Sequence, residues 1–116
     1  MSNTQVEQLA QKQLQAYNKS DLDAFCECYH AQVRVLDEEG VCVSEGIDAF
    51  RKRYEQMFNT LQFGAEVTQR IVLNQTCIDD EQWWRIDSST GEKKQGRVLV
   101  RYQADEGKIA LVQFFR

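Results

Sequence analysis

One carboxylate stands where an apolar side chain is expected. From Val33 the chain alternates with a period of two, placing Val33, Val35 and Asp37 on one side and Arg34, Leu36 and Glu38 on the other, before a turn at Glu39 and Gly40. A carboxylate drawn out of water at the end of an apolar strand face has a raised pKa unless a cation or donor offsets it, and a raised pKa is how a general base is tuned to neutral pH. Asp37 is therefore the candidate catalytic base. The same residue can instead cap the turn by accepting backbone N–H groups near Glu39 and Gly40, and the sequence leaves both roles open.

Other residues could serve a ligand. Gln13 interrupts the apolar face of the first helix, where a polar group without a partner is costly, so it is expected to meet a ligand or backbone, and a structural role alone would also explain it. Trp83 and Trp84 point to opposite sides of one strand, and Trp84 is expected inside. Tyr17, Tyr29, Tyr54 and Phe114 are core-type aromatics that also suit a pocket for a flat or apolar small molecule. Cys26 and His30 stand four apart, the spacing of a thiolate and its base on one helix face. Cys26 also belongs to the stripe Leu22, Phe25, Cys26, Tyr29, where a buried cysteine behaves as a small hydrophobe.

The elements that position these residues follow from periodicity and caps. Thr4 with Glu7 forms a capping box, and Val6, Leu9, Ala10, Gln13 and Tyr17 recur at helical spacing up to Asn18. Ser20 with Asp23 repeats the signal for a second helix from about Asp21 to His30, whose end places the imidazole at the helix dipole. After the strand from Val33, Val41 to Ser44 forms the returning strand of a hairpin. Gly46 opens a third helix with Ile47, Phe50, Tyr54, Met57, Phe58 and Leu61 on one face. Strand patterns then run over Phe63 to Asn74, Thr76 to Ser88, Arg97 to Ala104 and Lys108 to Phe115. Helices first and a meandering sheet after predict an α+β domain with helices on one face of an antiparallel sheet. In the last strand IALVQFF is apolar in both parities except at Gln113, so both sheet faces leave water there. Helices cover only one, and a second copy is expected on the other, giving a homodimer.

Composition narrows the function. The chain has 116 residues and a formal net charge of -4, which suits one domain and gives no clustered basic surface for nucleic acid or an anionic membrane. No apolar run reaches a membrane span, and MSNTQVEQLAQKQ has neither the basic nor the apolar part of a signal peptide, so a cytoplasmic location is expected. The four cysteines contain no C-x-x-C pair, and Cys26, Cys28 and His30 would project from different sides of one helix. Reduced thiols, with no metal and no cofactor, are expected.

YNKSDLDAF, VRVLDEEG, EGIDAFRKRY, EVTQRIVL and the closing GKIALVQFF resemble the nuclear transport factor 2-like superfamily, nearest to its SnoaL-like and ketosteroid-isomerase-like branch. The resemblance implies one cone-shaped α+β domain over residues 1–116, with three N-terminal helices packed on a strongly curved mixed or antiparallel sheet that encloses a pocket. It also implies a dimer through the outer sheet face. In the isomerase pattern, an aspartate base with a tyrosine and a protonated acid as oxyanion donors, Asp37 falls on the base, Gln13 on the tyrosine and Leu99 on or next to the second acid. Both oxyanion donors are thus replaced, which disfavours steroid isomerisation by that route. The resemblance further implies a pocket-lining Arg101, although alternation puts Val98, Val100 and Tyr102 on one face and sends Arg97 and Arg101 to the other. The expectation is a protein that binds an apolar or aromatic small molecule through Gln13, Tyr17, Tyr54, Trp84, Leu99, Arg101 and Phe114. Asp37 would be the base of an isomerase, lyase or hydrolase-type proton transfer. A ligand-binding or dimerisation module without catalysis is the alternative.

Overall fold

The computed structural model describes residues 5–116, so the Thr4 half of the first capping box lies outside the described residues. Helix α1 (Gln5–Asn18) buries Val6, Ala10, Gln13 and Tyr17, the stripe its spacing dictates. Its C-terminal Asn18 is clipped to the sheet: the side-chain amide donates to the Ala65 carbonyl at 3.0 Å and its oxygen accepts from the Ala65 N–H at 2.8 Å.

Helix α2 (Leu22–Glu27) starts and stops differently from the expectation. Its N-cap is Asp21, whose carboxylate accepts from the Ala24 N–H at 3.1 Å, while Ser20 takes a left-handed φ of 55°. The helix ends three residues before His30, because the Cys28 carbonyl accepts the Ile109 N–H at 2.9 Å and the chain turns into β1 (Tyr29–Leu36). His30 therefore lies on a strand, 2.8 Å from Glu106 Oε1, and shares no helix face with Cys26.

Strand β2 (Cys42–Glu45) completes the hairpin, and Gly46, at φ 91° and with its N–H on the Val33 carbonyl, redirects the chain into α3 (Ile47–Thr60). Strands β3 (Leu61–Leu73), β4 (Thr76–Asp87), β5 (Lys93–Asp105) and β6 (Lys108–Phe115) then meander. The sheet order is β2-β1-β6-β5-β4-β3; β1 and β6 are parallel and every other pair is antiparallel. The sheet is thus mixed, curved and unclosed, and its last strand lies in the interior. The architecture is the α+β arrangement expected, three helices on one face of a six-stranded sheet.

Pairing register fixes which residues face the helices. On β5 those are Val98, Val100, Tyr102 and Ala104, all buried. Opposite them across the β4 ladder stand Glu81, Asp79 and Cys77 for the first three. Opposite β4 on the same face stand Phe63, Ala65, Val67, Arg70 and Val72 of β3, with a bulge between Val67 and Gln69 restoring the parity. The core between helices and sheet is aromatic: Phe25 contacts Tyr17, Tyr29, Phe50, Tyr54 and Phe58 with ring centroids 5.1–5.8 Å apart.

Asp79 is fully buried within this core. Its carboxylate receives Arg70 Nε at 2.6 Å and a second guanidinium nitrogen at 2.9 Å, and the Cys77 thiol donates to it at 3.4 Å. Removing the cation strands a buried charge. Arg70→Leu is expected to cost about 3–5 kcal/mol in urea unfolding, and the double variant Arg70→Leu, Asp79→Leu to recover most of that loss.

Candidate functional site

Between the three helices and the inner face of β4, β5 and β6 the aromatic packing leaves a half-open cavity of about 530 Å³. Its apolar lining comes from Leu14 and Tyr17 of α1, Phe25 of α2, Tyr29 of β1, Tyr54 and Met57 of α3, and Trp83, Val98, Val112 and Phe114 of the sheet.

Gln13 supplies the polar floor. Its side-chain oxygen accepts the Tyr29 hydroxyl at 3.0 Å, and its nitrogen donates to the Ala10 carbonyl at 3.0 Å and to the Tyr102 hydroxyl oxygen at 3.1 Å. With Tyr102 accepting from Gln13, its own O–H has no acceptor among the described residues and is left for the cavity it lines. Burial pushes the Tyr29 and Tyr102 phenols well above their usual pKa, and Tyr54 up to about 12, so all three are neutral donors at physiological pH.

Glu81 is the titratable group that stands out. It lies between Val67 and Val98 on the neighbouring strands and opens onto the cavity without a hydrogen bond or ion pair. Desolvation, joined by the charge of Asp79 and only partly opposed by Arg85 and Arg116, raises its pKa from 4.5 to about 7. Four residues on, Arg85 holds its guanidinium carbon 4.9 Å from the Trp83 ring centre. Arg116 lies likewise 4.9 Å from the Phe114 ring, and Arg53 completes the rim.

The expected site residues divide between two places. Gln13, Tyr17, Tyr54 and Phe114 line the cavity together. Asp37, Trp84, Leu99 and Arg101 do not. Asp37 is a turn residue whose Oδ1 accepts the Glu39 and Val41 N–H groups, each at 2.9 Å, which is the capping role the sequence left open. Arg101 and Leu99 take the opposite parity to the buried Val98, Val100 and Tyr102 and face away from the helices. Arg101 Nε donates to Gln113 Oε1 at 3.1 Å, and Gln113 Nε2 donates to the Asp37 carbonyl at 3.1 Å, so Arg101 and Asp37 are linked, but outside the cavity. The two tryptophans are exchanged relative to expectation. Trp83 covers Gly96 within the cavity wall, where an added Cβ would sit 2.7 Å from its ring, while Trp84 covers Gly64 on the outer face and is 38% exposed.

Glu81, Trp83, Arg85 and Tyr102 were missed as a site. The signal was the apolar parity Val98, Val100, Tyr102 of β5, which through antiparallel register makes Glu81 and its alternate neighbours face inward. Strand β4 itself is mixed in both parities and carries no such signal.

The SnoaL-like domain profile matches residues 10–112, and the chain belongs to that family. Among solved structures it is similar to an uncharacterised cystatin-fold protein from Novosphingobium aromaticivorans, at TM-score 0.86 and 21% identity, covering 99% of this chain and 100% of the other. It is similar to the Delta 5-3-ketosteroid isomerase of a Mycobacterium species, at TM-score 0.86 and 12% identity over 98% and 94% of the two chains. An epoxide hydrolase from Mycobacterium tuberculosis superposes at TM-score 0.82 and 13% identity over 95% and 80%. At these identities the likeness concerns the fold, which is that of the nuclear transport factor 2-like superfamily. A comparison with curated protein sequences gives no match. No helix among the described residues is long and apolar enough to cross a membrane.

The Glu81 shift has a consequence for stability. Because the folded pKa lies above the unfolded value of 4.5, the native state keeps its proton longer than the unfolded chain, and stability falls as pH rises from about 4.5 to 7. Glu81→Gln is expected to be more stable than the parent by about 2 kcal/mol at pH 8, allowing for screening by water in the open cavity, with no gap below pH 4. Urea unfolding at the two pH values checks this.

Proposed function

We propose that this protein binds a small apolar or aromatic molecule in the cavity and that Glu81 exchanges a proton with it. The observation that carries the proposal is a carboxyl group titrating near neutrality, free of hydrogen bonds, inside a chamber walled by aromatic rings. The acid-base role expected for Asp37 passes to Glu81. A base must come within reach of the proton it takes, and Asp37 has one oxygen committed to two backbone donors outside the chamber.

The polar floor suits the same chemistry. When Glu81 removes a proton beside a carbonyl, negative charge develops on the oxygen, and the free Tyr102 O–H, backed by Gln13 and Tyr29, is a neutral donor already in place. Isomerisation, elimination and hydrolysis all draw on such a pair. Membership of the family and the likeness in fold to an isomerase and an epoxide hydrolase support a small-molecule ligand.

A second copy on the outer sheet face belongs to the proposal too. Ile71, Leu73, Trp84 and Leu99 share that face at 67%, 71%, 38% and 39% exposure, a patch that supports a homodimer. Sedimentation at micromolar concentration is expected to give twice the chain mass, and Leu99→Glu to give the monomer.

Calorimetry with 2-naphthol in buffers of different ionisation heat tests the site. The expected result at pH 7 is binding with a fractional proton uptake, since burying the ligand dries Glu81 further. Proton uptake is expected to vanish in Glu81→Gln and persist in Asp37→Asn, whose side-chain oxygen keeps the turn. Absence of binding, or uptake that survives Glu81→Gln, contradicts the proposal.

A further inference from the structure

The arginines of this chain are distributed unevenly with respect to their partners. Arg51 pairs with Asp23, Arg70 with Asp79 and Arg97 with Asp80, and Arg101 is held by Gln113. Arg34, Arg53, Arg85 and Arg116 make no ion pair among the described residues, and the last three line the cavity. They reach it from three separate segments, α3, β4 and the C-terminus. In a chain with 18 acidic residues against 14 basic ones, carboxylates to neutralise them are abundant, yet among the described residues the only acidic side chain on the cavity lining is Glu81. It stands farther than 4 Å from every one of these guanidiniums.

Arg85 is half-buried, whereas Arg53 and Arg116 are exposed. Its Nε is buried and is the one buried side-chain nitrogen or oxygen among the described residues without a hydrogen-bond partner. A buried donor of a charged group left unmade is costly, and such a group signals a missing acceptor. Its stacking on Trp83 occupies one face of the guanidinium, and part of the in-plane N–H edge is turned to the Tyr17 hydroxyl; the Nε–H on that edge is left for an acceptor, and such an edge binds carboxylates. Arg116 is fixed against Phe114 in the same way, and with Arg53 it lends the mouth a positive potential that draws anions in.

Resting on the small-molecule proposal for this cavity, we propose that its ligand is an organic acid, one carboxylate on a flat or apolar body. The carboxylate pairs with the Arg85 edge while the body lies along Trp83, Tyr17, Tyr54 and Phe114. One negative charge is the match, because Glu81 shares the wall and a dianion such as phosphate would meet it across an apolar chamber.

Isothermal titration of 2-naphthylacetate against 2-naphthylacetamide, which share shape and differ in charge, tests this. The acid is expected to bind at least about tenfold more tightly than the amide. Arg85→Gln is expected to remove that preference by weakening the acid while leaving the amide within about twofold. If Arg85→Gln does not fold, Arg116→Gln serves, with a reduced preference expected, alongside a salt series in which only the acid weakens as sodium chloride rises. Equal affinity of acid and amide, or a preference untouched by either variant and by salt, overturns the anion proposal and leaves the cavity as a site for neutral molecules. If neither compound binds at millimolar concentration, both proposals fall.

Discussion

A carboxyl and a guanidinium on the inner wall of a bent sheet cannot be covered by apolar side chains without a large desolvation cost, and that constraint shapes the rest of the molecule. Glu81 and Arg85 alternate with Trp83 and Asp79 along one side of β4. Asp79 escapes the cost by pairing with Arg70, so the sheet is sealed there and its neighbours pack solidly. Two residues along, Glu81 has only valines beside it on the neighbouring strands, and the helices stand off to leave a hollow in which its carboxyl is poorly hydrated and open to a ligand.

Several contacts hold the hollow open. The Gln13 amide bridges Tyr29 and Tyr102, tying α1 to β1 and β5 at a set distance. Asn18 clips the end of the same helix to β3 through two hydrogen bonds. Rings of Tyr17, Phe25, Phe50, Tyr54, Phe58 and Phe63 pack edge-on and tilted between α3 and the sheet, and rigid rings resist collapse better than flexible side chains would. Every one of these contacts satisfies a polar group or fills space around the chamber, so stability and the site have the same source.

The fold was legible because it depends on patterns along single elements. The stripes of α1 and α3 and the four long strand segments lie where periodicity puts them, to within a few residues at most boundaries. The end of α2 was not legible, since it is set by a hydrogen bond from Ile109, some eighty residues away. The site was half legible for a similar reason. Gln13, Tyr17, Tyr54 and Phe114 were visible as exceptions or aromatics on predicted faces, whereas the inward parity of Glu81, Trp83 and Arg85 is imposed by pairing to β5. Asp37 drew attention because its strand face is apolar, but β1 ends just before it and the turn claims its carboxylate.

The central claim is that the chamber withholds water from Glu81 strongly enough to keep its proton close to neutral pH. Carbon-13 NMR of the glutamate side-chain carboxyls in the ligand-free protein, with Glu81 assigned by its loss in Glu81→Gln, reads this directly. The account predicts a midpoint near 7 for that resonance; a midpoint near the ordinary 4.5 would contradict it.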